Sequence, residues 1–182
     1  MLLPVLNLAR EKAKTTYCAG NLRQLMLVTL EYANDFNGFL FPAPRLETWP
    51  LSFRDVLHRP KDVKILNCGS KNAKRRDNRA YYPLCSYARN SSFSQRKQTK
   101  VEKFTKSTVL YCDATFDNIG SDAANGADYW KSKITDCHDK GSANYLFPDG
   151  RIIKIPYSHM RLNLNGRIYF DPWSAKVGPM YK

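Results

Sequence analysis

Five cysteines, three histidines and a group of loop aspartates are the residues of this chain with the most chemistry to offer. Cys18, Cys68, Cys85, Cys112 and Cys137 are scattered without a C-x-x-C pair. His58, His138 and His159 lie just as far apart, so no zinc-ligand spacing is visible. In an oxidising compartment one or two disulfides would form and leave an odd thiol, whereas in a reducing one all five would be buried thiols. Composition does not choose between the two. Cys137 and His138 have the types of a nucleophile and its base, but neighbours on a strand point to opposite faces and do not cooperate. No G-x-S-x-G, P-loop or H-E-x-x-H pattern occurs. A hydrolase would need a clustered polar pocket that these residues do not assemble, and the chain reads as a non-enzyme without a cofactor.

Asp113, Asp117, Asp122 and Asp128 gather in a segment that also holds Gly and Asn. Hard cations take carboxylate and carbonyl oxygens from such loops, which makes Asp113, Asp117 and Asp122 a weak Ca²⁺ candidate. Their spacing departs from the EF-hand template, and Asp is common in loops as a turn former, so a structural loop is the favoured reading.

The net charge of +13 has a local source. Residues 71–106 carry eleven Lys/Arg against Asp77 and Glu102, densest at Lys71, Lys74, Arg75, Arg76 and Arg79. Such a face attracts DNA or acidic polysaccharide, and Tyr81, Tyr82, Tyr87 and Phe93 are placed to stack on bases. No recognised nucleic-acid module is spelled out, and a solvated loop kept soluble by its charge is favoured.

The elements that must position these residues begin with a helix. Leu8 to about Asn34 contains no Pro and only Gly20, and Ala13, Tyr17, Leu22, Leu25, Thr29 and Tyr32 recur near helical spacing as one apolar stripe. Arg10, Lys14 and Arg23 mark the opposite face. Asn34-Asp35-Phe36-Asn37-Gly38 supplies the stop. Some 26 helical residues would reach about 39 Å, longer than a small head needs. Further on, Trp49–Leu57 reads as a short helix, Lys64–Cys68 as a brief strand, Tyr81–Tyr87 as a strand and Thr108–Cys112 as a strand, with a polar loop over Asp113–Trp130. Ala143–Phe147 and Arg151–Ile155 flank Pro148-Asp149-Gly150, which signals a hairpin. A second hairpin, Arg161–Leu164 with Arg167–Phe170, is joined by Asn165-Gly166, the pair a type I′ turn favours.

Helix first and meander last is an α+β arrangement, a long N-terminal helix packed on a small antiparallel head with loop-rich insertions. The 182 residues, 43% of them apolar, suit one domain: helix over 1–36, β-rich head over 37–182. No run approaches the ~20 apolar residues of a membrane span. Met1–Ala9 lacks the basic start and cleavage site of a signal peptide, so the chain as written is expected to be soluble.

At Met1–Gln24 the sequence resembles the N-terminal helix of type IV pilin-like and type II secretion pseudopilin-like proteins, specifically the H-x9-DG set of planctomycetes and lentisphaeral bacteria. Leu2, Leu3, Pro4, Leu6, Ala9, Arg10, Glu11, Lys12 and Ala13 carry the likeness, followed by Cys18, Asn21, Leu22 and Gln24. Tyr32-Ala33-Asn34-Asp35, Ile65-Leu66-Asn67-Cys68 and Ser86-Tyr87-Ala88-Arg89-Asn90 extend it. His138, Asn144, Asp149 and Gly150 are similar to its closing motif. Ten residues rather than nine separate His138 from Asp149, which implies a one-residue bulge, and Gly69 stands where that set has Pro.

The resemblance implies a non-enzymatic filament subunit, a pseudopilin or minor pilin. Its partners would be other pilin or pseudopilin subunits and inner-membrane assembly proteins. The peptidase site and the first half of the helix that such subunits have are not in this sequence. A full-length form would be anchored in the inner membrane through that part and exposed to the periplasm or cell surface. The resemblance also implies a Cys18–Cys68 bridge tying helix to head. The alternative reading is a surface module that captures DNA or acidic polysaccharide with the basic 71–106 segment.

Overall fold

The structure, a computed structural model, describes residues 2–42, 64–69, 86–90, 93, 95–101, 109–114, 118–119, 138, 141–156, 161–162 and 168–169. The first element, α1 (Leu2–Asp35), is a single helix of 34 residues. It begins earlier than the periodicity suggests because Pro4 falls in the first turn, where its missing N–H has no helical partner to lose. It stops where expected. Asn37 takes a left-handed φ of 52°, and the Gly38 N–H donates back to the Ala33 carbonyl at 2.7 Å, closing the free carbonyls of the last turn.

The buried stripe of α1 differs from the expected one. Cys18, Asn21, Leu22, Leu25, Thr29 and Ala33 are buried, at spacings of three and four residues, while Ala13 is exposed and Tyr17 is 51% exposed. Tyr32 lies at its margin, stacked on Phe36 and edge-on to Phe41.

After α1 come a 3₁₀ turn η1 (Lys64–Leu66), β1 (Tyr87–Asn90), a one-turn α2 (Gln98–Val101), β2 (Tyr111–Asp113), β3 (Asn118–Ile119), β4 (Ser142–Leu146) and β5 (Ile152–Pro156). Residues 64–66 were expected in a strand and are instead a turn that delivers Leu66 to the core, with the Ser86 N–H donating to the Leu66 carbonyl at 2.8 Å. The sheet order is β3-β1-β2-β4-β5, with β1, β2, β4 and β5 antiparallel and β3 parallel to β1. The head is therefore a four-stranded antiparallel sheet with a short parallel edge, and the class is α+β. Asp113 and Asn118–Ile119, expected in a loop, belong to strands.

Both faces of the central strands are buried. Tyr87, Tyr111 and Leu146 meet Cys18, Leu22, Leu25 and Leu66 on the helix side. Ala88, Cys112, Ala143, Tyr145 and Ile155 form a second cluster on the other side. Polar groups at the helix–sheet seam are matched in pairs. The Asn21 amide donates to Tyr87 Oη and to the Asn67 carbonyl, each at 3.0 Å, and Thr29 Oγ1 bonds Tyr111 Oη at 2.9 Å.

The first hairpin is as expected. Gly150 N–H donates to the Phe147 carbonyl, and Gly150 has φ 83°, so Pro148-Asp149-Gly150 is a tight turn closed by a left-handed glycine. The β4–β5 ladder runs unbroken from Ser142↔Pro156 to Leu146↔Ile152, so the bulge implied between His138 and Asp149 does not fall in β4. The second hairpin pairs β6 (Arg161–Leu162) with β7 (Ile168–Tyr169). Its register, Leu162 opposite Ile168, is one residue away from the Leu162–Tyr169 pairing that an unbulged Asn165-Gly166 turn would set. Trp49–Leu57 and Tyr81–Tyr82 lie outside the described residues.

Candidate functional site

Four chain segments converge at the helix–sheet seam. Helix spacing puts Cys18 on the buried stripe of α1, and the turn at η1 brings Cys68 beneath it, with a Cα–Cα distance of 5.3 Å. The two sulfurs are joined in a disulfide across 50 residues. This is the pairing that the resemblance implied. β2 contributes Asp113, which lies two residues from Tyr111 and therefore on the same, helix-facing side. His138 precedes β4 and is held by two backbone hydrogen bonds to Ser142, at 3.0 and 3.3 Å, with Gly141 at φ 73° completing the bend.

The geometry is tight. His138 Nε2 lies 3.0 Å from Asp113 Oδ2 and 3.6 Å from Cys68 Sγ. Asp113 Oδ2 also accepts the Asn144 N–H at 2.7 Å, while the Asn144 amide donates to the Thr15 carbonyl of α1 at 3.2 Å. Taken one ligand atom each, Cys18, Cys68, Asp113 and His138 lie within 4.8 Å of one another. Both the Asp113 and His138 side chains are completely buried. Among the described residues, Asp113 Oδ1 and His138 Nδ1 find no hydrogen-bond partner. A buried carboxylate with an unmatched oxygen costs free energy unless a cation or a proton answers it.

This centre can act as a staple. The disulfide and the Asp113–His138 pair together connect α1, η1, β2 and the approach to β4. In the disulfide form His138 has no thiol to deprotonate, so its nearness to sulfur provides no nucleophile.

Other expected site residues separate. Asp149 and Gly150 belong to the exposed β4–β5 turn, where Asp149 accepts the Arg151 N–H at 3.1 Å and pairs with the Arg151 guanidinium at 2.6 Å. They shape a turn, whereas His138 and Asn144 of the same motif are buried in the cluster. Asp113 is not an open-loop oxygen donor, which removes it from the Ca²⁺ candidate. Asp117 and Asp122 lie outside the described residues, as do Lys71, Lys74, Arg75, Arg76 and Arg79. Tyr87 and Phe93 are buried and present no face for stacking on bases.

Arg89 also leaves the basic surface. It is fully buried, with its guanidinium 3.8 Å above the Phe41 ring and Nη1 donating to the Phe41 carbonyl at 2.8 Å. Burial holds it below the ordinary guanidinium value, with Tyr111 and Tyr32 opposing that shift.

The convergence of His138, Asp113 and the two sulfurs escaped the sequence reading. Two signals pointed toward it: Cys18, Asn21, Leu22 and Leu25 at helical spacing, and the polar Asp113 in phase with Tyr111 on a strand. In comparisons with known proteins, the chain matches no family model, no curated sequence and no solved structure.

Proposed function

We propose that this chain is a structural, non-enzymatic subunit of a pilin-like filament, a pseudopilin or minor pilin of a type II secretion or type IV pilus-like machine. The observation that supports this reading is the division of α1. From Cys18 onward one side of the helix is buried in the head, yet Pro4 through Arg10 are exposed on every side. Val5, Leu6 and Leu8 are 65%, 49% and 53% exposed, an apolar end that a subunit packing its helix against neighbouring helices would cover. No helix among the described residues is long and apolar enough to cross a membrane.

The test is a photo-crosslinking amino acid placed at Leu8 in the cells that make the protein. A ladder of covalent multimers is the expected result. Crosslinks confined to a single unrelated partner, or none at all, would overturn the filament reading.

Without the buried Arg89, residues 71–106 still carry ten Lys/Arg against Asp77 and Glu102, and this eight-charge excess supports a second role on the same subunit, capture of DNA or acidic polysaccharide. Charge reversal at Lys74, Arg75 and Arg76 should abolish a salt-dependent DNA shift, and a flat low-salt titration of the unaltered protein would refute it.

A further inference from the structure

We propose that, once the Cys18–Cys68 bond is reduced, Cys18 Sγ, Cys68 Sγ, His138 Nε2 and an Asp113 carboxylate oxygen form a four-coordinate Zn²⁺ site. The same four segments of chain would then be tied by a metal in place of a disulfide.

Donor chemistry selects the metal. Two thiolates and an imidazole are soft to borderline ligands that suit Zn²⁺ and exclude the all-oxygen shells of Ca²⁺ and Mg²⁺. Distances agree with that choice. Zinc–sulfur and zinc–nitrogen bonds of about 2.3 and 2.05 Å at a tetrahedral angle separate sulfur from nitrogen by about 3.6 Å. The Cys68 Sγ to His138 Nε2 distance is 3.6 Å. Nitrogen and carboxylate oxygen would stand about 3.3 Å apart around zinc; His138 Nε2 lies 3.0 Å from Asp113 Oδ2, so the same carboxylate is near enough to turn its Oδ1 to the metal. The sulfurs must part to about 3.8 Å, a small side-chain rotation with the Cα atoms 5.3 Å apart.

A second observation is independent of the cysteines. Asp113 is fully buried with Oδ1 unpartnered among the described residues, while its Oδ2 is held by the Asn144 N–H. That is one oriented carboxylate with an oxygen left for a cation. Two thiolates, one carboxylate and a neutral imidazole around Zn²⁺ sum to a single negative charge. With all four positions filled by protein and three of the four ligands buried, the centre is structural rather than catalytic.

The chemistry balances with a dithiol as reductant. The dithiol gives two electrons and two protons to the Cys18–Cys68 bond and itself closes to a disulfide. Zn²⁺ then displaces both thiol protons to solvent, and the proton held between His138 Nε2 and Asp113 Oδ2 moves to Nδ1 or to solvent so that Nε2 can bind the metal.

The full chain, reduced and freed of metal, is titrated with Co²⁺ and with Zn²⁺. Expected are one equivalent bound per chain, thiolate-to-cobalt charge-transfer absorption, and the intense visible bands of tetrahedral Co²⁺, bleached by Zn²⁺. Asp113→Asn and His138→Ala should each weaken binding by more than about tenfold, while Cys85→Ser leaves it unchanged. Should those variants fold poorly, X-ray absorption on the unaltered zinc form decides, with two sulfur and two nitrogen or oxygen neighbours expected. A reduced chain that binds no stoichiometric metal, or a zinc shell with other than two sulfurs, overturns the proposal. So does Co²⁺ binding that is lost in Cys85→Ser but kept in His138→Ala.

Discussion

The two ends of α1 share one backbone and differ in almost everything else. Between Cys18 and Ala33 the helix buries six side chains, is bonded to the head through Asn21, Thr29 and a disulfide, and is held by tertiary contact. Between Pro4 and Arg10 it is exposed and kept helical by propensity and by continuity with the packed end. Isolated segments of that length are marginal helices in water, so the packed end nucleates the other. The difference teaches that the head engages the helix from about Thr15 onward.

Substitutions can break or sharpen this contrast. Cys18→Ala removes a crosslink over 50 residues and should cost about 4 kcal/mol in the chain-entropy picture, read by urea unfolding without reductant. A loss of less than about 1 kcal/mol would mean that the head holds the helix without the bridge. Leu25→Ala, at a fully buried site, should cost about 3 kcal/mol in the same assay.

Arg89→Met is expected to raise the unfolding free energy by up to about 1 kcal/mol, because a desolvated charge with two nitrogens unpartnered among the described residues is exchanged for an apolar chain. A clear loss would show that its Phe41 contacts outweigh burial. Val5→Ala should change stability by less than about 0.5 kcal/mol, since the side chain is 65% exposed. If it costs as much as Leu25→Ala, the two ends of the free chain are not differently housed.

Much of the local structure was legible in residue order. The helix stop at Asn37-Gly38 and the Pro148-Asp149-Gly150 turn depend on backbone angles that only certain residues accept, and both stand where the sequence put them. Lys64–Cys68 misled because a short apolar run fits a strand and a buried turn equally well. Tyr17 and Ala13 misled because a helical stripe can be drawn with several phases, and only contact with the sheet selects one.

The site lies at the other extreme. Cys18 and Cys68 could be paired from a resemblance, but nothing local joins Asp113 to His138, or Arg89 to Phe41. Those meetings depend on the β1–β2–β4 register and on the angle at which α1 crosses it.

By itself, then, the order of residues determined an α+β chain, where its long helix ends, and the tight turn of its first hairpin. These follow from φ and ψ preferences acting over a few neighbours. The tertiary structure alone decided which side of the helix is buried and that a carboxylate, an imidazole and two sulfurs share one centre. Such contacts are made between residues tens of positions apart, and only the packing of helix on sheet brings them within bonding distance.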